Sequence, residues 1–129
     1  MKKILFVLLS LSLSLFAGVT NQVLDKKLYN SSVPIVDIRT PKEWSEDGIL
    51  KRAITIMSWD AKGNFNQKFF DELKAKVDVK KPFALICRSG SRTHLVAAYL
   101  SDKLGYNVIN LEGGMIYTKD KKFPIIHIK

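Results

Sequence analysis

The residues best suited to chemistry form one short stretch that begins at the only cysteine of the chain. This stretch reads Cys87, Arg88, Ser89, Gly90, Ser91, Arg92, Thr93. A cysteine thiolate is a strong nucleophile, and neighbouring cations or a helix N-terminus favour the charged form. Small residues and a glycine let the chain turn so that several backbone N–H groups point inward and bind an anion. The stretch therefore predicts an anion-binding loop with a nucleophilic sulfur at its base.

Two elements must position this loop. Residues 82–87 form a uniformly apolar run, which is typical of a parallel strand covered on both faces. Residues 93–104 carry apolar side chains at helical spacing and are followed by Gly105, a common helix stop. The loop is therefore predicted beyond the carboxyl end of a strand and beside a helix N-terminus, where open α/β sheets bind ligands.

The rest of the chain alternates between strand and helix patterns. Apolar runs rich in β-branched residues predict further strands at residues 34–38, 53–57 and 107–111. Helical patterns lie at residues 20–29, from Thr40 and Pro41 onward, at 66–77 and after Gly113, and residues 123–128 form an extended tail. Strands separated by helices favour a mainly parallel sheet. No linker or repeat divides residues 18–129, so we predict one α/β domain.

Four motifs, in order along the chain, carry a resemblance to a known family. They are Asp37-Ile38-Arg39 with Glu43-Trp44, the turn at residues 48–53, the loop at residues 87–93, and Leu111 to Met115. Together they resemble the rhodanese family of sulfurtransferases, over roughly residues 30–118. The chain departs from the family where Ile49 follows Gly48 in place of a histidine, and where Tyr117 is nearest to the usual tryptophan. The resemblance implies a mainly parallel central sheet of about five strands with helices on both faces.

The resemblance also implies a reaction. Cys87 would be catalytic: it would take a sulfane sulfur from an anionic donor such as thiosulfate as a persulfide, and pass it to cyanide, a thiol or a protein acceptor. The substrate-binding residues would be Arg88, Ser89, Gly90, Ser91, Arg92 and Thr93. Asp37 and Arg39 would support the pocket. No metal and no organic cofactor is required.

Three alternatives stay open. The domain could be a low-turnover persulfide carrier, or sulfur-binding module, that serves a protein partner. Asp37 and Arg39 could lie at the pocket rim, but we favour an ion pair of Arg39 with Asp37 or Glu43 that fixes the turn after the first predicted strand. Arg88 and Arg92 could be solvated loop charges, although we expect at least one of them to face the donor.

Loop length distinguishes this chemistry from that of cysteine-dependent phosphatases. Those enzymes need the spacing Cys-x5-Arg to surround a tetrahedral oxyanion, whereas four residues separate Cys87 from Arg92. The smaller loop favours transfer of a single sulfur atom. Other candidates have ordinary interpretations: His94 as a polar residue in the first helical turn, and Trp44 and Trp59 as packing residues.

Composition excludes several other classes. The chain has 129 residues, is 47% hydrophobic and carries a formal charge of +9, so it is globular rather than disordered. One cysteine allows neither an intramolecular disulfide nor a four-thiolate zinc site. The lysines are scattered, without a basic stripe, which argues against nucleic-acid binding. The positive charge is suited to steering small anions toward the loop.

The N-terminus has the pattern of an export signal. Lys2 and Lys3 precede an apolar run at residues 4–17, which ends at Ala17-Gly18. This run is shorter than the roughly 20 residues that a transmembrane helix needs, and it fits a secretory signal peptide. We predict a signal peptide at residues 1–17, a mature domain at 18–129 and a periplasmic location. The alternative is an uncleaved anchor, which would be the protein's only contact with the membrane.

Overall fold

The structure, a computed structural model, describes residues 17–128. The predicted signal peptide lies outside these residues, apart from Ala17. Among residues 17–128, no helix is both long and apolar enough to cross a membrane.

A five-stranded parallel sheet forms the centre of the described chain. The strands are β1 (Gly18–Gln22), β2 (Ile35–Asp37), β3 (Ile49–Leu50), β4 (Ile54–Thr55), β5 (Phe83–Ile86), β6 (Asn107–Leu111) and β7 (Ile125–Ile126). The central sheet has the order β1-β6-β5-β2-β4, and all of its neighbouring strands are parallel. The predicted fold class is therefore confirmed, with β5 as the middle strand.

Helices cover both faces of this sheet. They are α1 (Lys26–Tyr29), α2 (Pro41–Asp47), α3 (Phe69–Lys76), α4 (Ser91–Leu104) and α5 (Gly114–Asp120). On one face, side chains of α3 and α4 pack against Val36, Leu85 and Val108. On the other face, α1 and α5 pack against Ile35 and Ala84. Successive strand residues thus enter opposite cores, which explains why β5 is apolar throughout.

The structure corrects the prediction of a helix at residues 20–29. Thr20 to Gln22 belong to β1, which pairs in parallel with β6 along its whole length. The helix starts only after Asp25, whose carboxylate accepts a hydrogen bond from the Leu28 N–H at 2.8 Å. The local pattern did not reveal this boundary because pairing with a strand about 90 residues away decides it.

The C-terminal tail also has a partner that the sequence did not predict. β7 pairs antiparallel with β3 in a separate two-stranded sheet. Gly48 precedes β3 with φ +81°, and a Cβ there would lie 2.6 Å from Ile125. The glycine therefore lets the tail approach closely.

The starts of α2, α3 and α4 lie within three residues of their local signals. Thr40 caps α2 and Pro41 lies in its first turn, as predicted, and Glu43 completes a reciprocal capping box with Thr40 that the sequence did not predict. α4 begins at Ser91, two residues earlier than predicted, and ends at the left-handed Gly105. α3 begins at Phe69 rather than at residue 66.

Candidate active site

Cys87 follows the middle strand of the sheet directly and lies at the base of the β5–α4 loop. Its surface is fully buried. The Gly90 N–H donates a hydrogen bond to Sγ at 3.2 Å, and the Thr93 hydroxyl oxygen lies 3.6 Å from Sγ. The loop therefore directs a backbone donor at the sulfur, as an anion-binding loop should.

Gly90 gives the loop its shape. Its φ of +105° is strained for residues with a side chain, although a Cβ there would make only ordinary van der Waals contacts, the nearest to the Gly113 nitrogen at 3.5 Å. α4 starts at the next residue, so the N-terminus of a 14-residue helix is beside the sulfur. Arg88, Ser89 and Ser91 are exposed on the outer side of the loop.

The first turn of α5 holds the β5–α4 loop in place by hydrogen bonds to its carbonyls. The Met115 and Ile116 N–H groups donate to the carbonyls of Cys87 and Arg88 at 2.8 and 3.1 Å. This contact needs glycine at position 114, where φ is +51° and a Cβ would lie 2.7 Å from the Arg88 oxygen. From the sequence, Gly113 and Gly114 belong to the fourth family motif and to a helix start. The contact of this turn with the loop of Cys87 became visible only in the fold.

Arg92 is held by Glu43. Its two terminal nitrogens donate to the two carboxylate oxygens at 2.7 and 2.8 Å. The Arg92 hydrogen bond, against an opposing effect of burial and with help from Thr40, lowers the pKa of Glu43 to about 2. In turn, Glu43 raises the pKa of Arg92, and charge on Cys87 and Asp37 adds to the effect. Arg92 thus provides positive charge near the sulfur, while its two terminal nitrogens are bound by Glu43 of α2.

Asp37 and Arg39 form a fully buried ion pair. Arg39 Nη2 lies 2.8 Å from Asp37 Oδ2 and also donates to the Gly48 carbonyl at 2.7 Å. Asp47 approaches Nη1 at 3.6 Å. This is the Arg39–Asp37 pair that we favoured from the sequence, whereas a pair of Arg39 with Glu43 was wrong because Glu43 binds Arg92. Both side chains lie inside the protein and fix the turn between β2 and α2.

A buried polar chain continues from the sulfur to the edge of the sheet. The Thr93 hydroxyl donates to Asn110 Oδ1 at 2.6 Å, and Asn110 Nδ2 donates to Asn21 Oδ1 at 3.0 Å. Thr93 and Asn110 are buried, and Asn21 is exposed. Sequence reasoning missed both asparagines because they lie on β6 and β1, which meet only through sheet pairing.

One cavity adjoins the loop, and a second lies beside it against α4. The first is open, has a volume of about 600 Å³ and a mixed polar and apolar lining that includes Ser89, Gly90, Ser91, His94, Asn110 and Glu112. The second is apolar, has a volume of about 460 Å³ and is lined by Trp59, Phe65, Phe70, Leu95, Val96 and Tyr99. Leu95 borders both. In the described part of the chain, no cluster of three or more His, Cys, Asp or Glu side chains is arranged to hold a metal ion.

Comparison with known proteins identifies the family. The model of the Rhodanese-like domain matches residues 20–118. This chain belongs to the rhodanese-like domain family. A Bacillus subtilis protein named "Putative sulfurtransferase YtwF" is 33% identical over 100 residues, which cover 78% of this chain and 82% of that protein.

Two solved structures are similar to this one. A rhodanese-like domain protein from Staphylococcus aureus has a TM-score of 0.62 and 27% identity, and the match covers 83% of this chain and 99% of that one. The protein SSP1007 from Staphylococcus saprophyticus has a TM-score of 0.61 and 29% identity, with coverage of 84% and 99%. The resemblance seen in the four motifs is therefore confirmed.

Proposed function

We propose that this protein is a sulfurtransferase that accepts a sulfane sulfur from a thiosulfate-like anion on Cys87 and passes it to a thiol acceptor. The observation that carries the proposal is the Gly90 N–H directed at Cys87 Sγ from a loop that caps the middle strand. Membership of the rhodanese-like family, and the name of the similar Bacillus subtilis protein, support a role in sulfur transfer in general.

The transfer has two balanced steps. The Cys87 thiolate attacks the outer sulfur of thiosulfate, a new S–S bond forms, and sulfite leaves with the electron pair of the old S–S bond. An acceptor thiolate then attacks the outer sulfur of the persulfide, and Cys87 leaves as a thiolate. No oxidant is consumed, and the chain itself supplies the only nucleophile of the first step.

The site is suited to the charges of this reaction. Donor, sulfite and persulfide are all anionic, and the loop offers the Gly90 N–H, the α4 N-terminus and the positive charge of Arg92. Arg88 is exposed on the loop and has no acidic partner within 4 Å in the described chain. It is the side chain best placed to meet an incoming anion.

One observation favours the carrier as a second candidate. Cys87 has no exposed surface, so a donor reaches the sulfur only when the loop opens. A protein partner that binds the exposed loop could supply that opening, and the isolated domain would then turn over slowly.

Intact-mass measurement tests the proposal. The purified domain is incubated with thiosulfate, with Cys87→Ser as the matched control. The wild type is expected to gain one sulfur atom, which cyanide then removes as thiocyanate, and the variant to gain none. An unmodified wild type, or a gain that persists in Cys87→Ser, contradicts the proposal. Steady thiocyanate production distinguishes an enzyme from a carrier that loads once.

The location is part of the same proposal. The basic and apolar pattern of residues 1–17 supports export to the periplasm with cleavage after Ala17. N-terminal sequencing of the protein from the periplasmic fraction tests this. A chain that begins at Gly18 supports export, and a chain that keeps Met1 and stays with the membrane supports the anchor.

A further inference from the structure

The side-chain hydrogen bonds that lead from Cys87 through Thr93 and Asn110 to Asn21 have a defined donor-to-acceptor direction. Thr93 has one hydroxyl hydrogen and three neighbours that could accept it: Asn110 Oδ1 at 2.6 Å, the Gly90 carbonyl at 3.1 Å and Cys87 Sγ at 3.6 Å. The shortest contact is to Asn110. The Gly90 carbonyl already accepts the His94 N–H at 3.1 Å and does not need the hydroxyl.

This direction matches a neutral sulfur. With its hydrogen committed to Asn110, the Thr93 oxygen presents lone pairs to Cys87, which suits an S–H donor. A sulfur that carries negative charge needs the opposite arrangement, in which Thr93 donates to it. Such charge appears on Cys87 as thiolate and as persulfide in the proposed reaction, so the inference rests on the proposed function to that extent.

Reversal of the chain requires only rotation of amide groups. If the Asn110 amide turns over, its NH₂ donates to Thr93 and its oxygen faces Asn21. Asn21 must then donate instead of accept. Because Asn21 is exposed on the edge strand β1, it can exchange partners with water at little cost. The thiol proton itself leaves to water.

We infer that Asn110 is a positioning residue that reverses the Thr93 hydroxyl when Cys87 becomes anionic, with Asn21 as the solvent end of the switch. Asn110 has no direct hydrogen bond to the sulfur and acts through Thr93. The charged groups near the sulfur are Arg92 with its partner Glu43 and the Asp37–Arg39 pair, and none of these side chains hydrogen-bonds the side chains of Thr93, Asn110 or Asn21. The switch is therefore separable from them.

Asn21→Asp is the variant that tests the switch. An aspartate accepts but does not donate at neutral pH, so it holds the Asn110 NH₂ and keeps Asn110 Oδ1 on the Thr93 hydroxyl. Asn21→Ala removes the oxygen that accepts from the Asn110 NH₂, and water takes the place of the side chain. Thr20→Asp is the charge control, because Thr20 is exposed on the same strand with its side chain on the opposite face.

Two rates are measured at pH 7 in each variant: alkylation of Cys87 by iodoacetamide, and sulfur uptake from thiosulfate in a single turnover. We expect Asn21→Asp to slow both by about tenfold, the usual scale for losing a hydrogen bond to a charged group. Asn21→Ala is expected to slow them far less, and Thr20→Asp to leave them unchanged. In a Thr93→Val background, Asn21→Asp should have no further effect. Thermal unfolding verifies that each variant is folded.

High salt distinguishes the switch from charge repulsion as the cause of slower rates in Asn21→Asp. At 1 M NaCl the screening length is about 3 Å, so an effect of charge at the exposed position 21 disappears while a held hydrogen bond persists. Slowing that vanishes in salt, equal slowing in Asn21→Ala, or no slowing at all overturns the inference. If alkylation follows the expected pattern but the wild type takes no sulfur from thiosulfate, the switch stands and the proposed donor fails.

Discussion

The Arg92–Glu43 pair joins the active-site loop to α2, and its removal gives a prediction that can be calculated. Glu43→Gln keeps the shape of the side chain and an oxygen for the capping box but removes the charge. A pKa of about 2 in place of 4.5, at 1.36 kcal/mol per pKa unit, sets an upper limit of about 3 kcal/mol. About a quarter of each side chain is exposed (27% and 21%), and solvent screening reduces the expected loss to about 1–2 kcal/mol.

The direction in which this stability difference changes with pH follows from the lowered pKa of Glu43. A carboxyl group whose pKa is lowered by folding stabilises the protein above its unfolded value of 4.5, and that contribution is lost as pH falls toward 2. Urea unfolding of wild type and Glu43→Gln should therefore differ by about 1–2 kcal/mol at pH 7, and the difference should shrink below pH 4.5.

Glu46→Gln is the matched control for this experiment. Glu46 lies on the same helix, is exposed and has no partner within 4 Å in the described chain. Its substitution should change stability by less than about 0.5 kcal/mol at any pH. Equal effects of the two substitutions, or a Glu43→Gln effect that stays constant from pH 7 to pH 3, would refute the reasoning.

Three further predictions concern the contact between α5 and the loop, the buried ion pair and the approach of the donor. Gly114→Ala should lower the free energy of unfolding in urea by about 2 kcal/mol or more, because it adds a clash with the Arg88 carbonyl to a strained φ. Gly63→Ala is the control: its φ is also strained but its surroundings are open, so the loss should be about 1 kcal/mol. Arg39→Met should cost about 3–5 kcal/mol by leaving the buried Asp37 carboxylate without an opposite charge, its remaining partner being the backbone N–H of residue 39; a loss under 1 kcal/mol would contradict this. Arg88→Ala should raise the KM for thiosulfate several-fold at low salt without changing stability, and an unchanged KM would remove Arg88 from the donor's path.

Local signals in the sequence predicted the elements that carry the site. The apolar run before Cys87 and the glycine after α4 each depend on neighbours within a few residues, as does the helix start at Thr40 and Pro41. The order of strand, loop and helix could therefore be predicted from local sequence patterns, and this order placed the sulfur at the end of the strand.

Contacts between distant residues were not predictable in the same way. The Arg92–Glu43 pair spans 49 positions and the Asn110–Asn21 bond spans 89, and no local pattern selects one partner over another. From the sequence we expect at least one of Arg88 and Arg92 to face the donor. Because Arg92 binds Glu43, the structure predicts that Arg92→Ala also destabilises the fold.

The central claim is that Cys87 carries the transferred sulfur. Thiosulfate that is isotopically labelled at its outer sulfur tests it most directly, when the treated protein is digested without reductant and its peptides are weighed. Label is expected only on the peptide that contains Cys87, and none is expected when the inner sulfur is labelled instead. Label on another peptide, label from the inner sulfur, or a Cys87 peptide without added sulfur would contradict it.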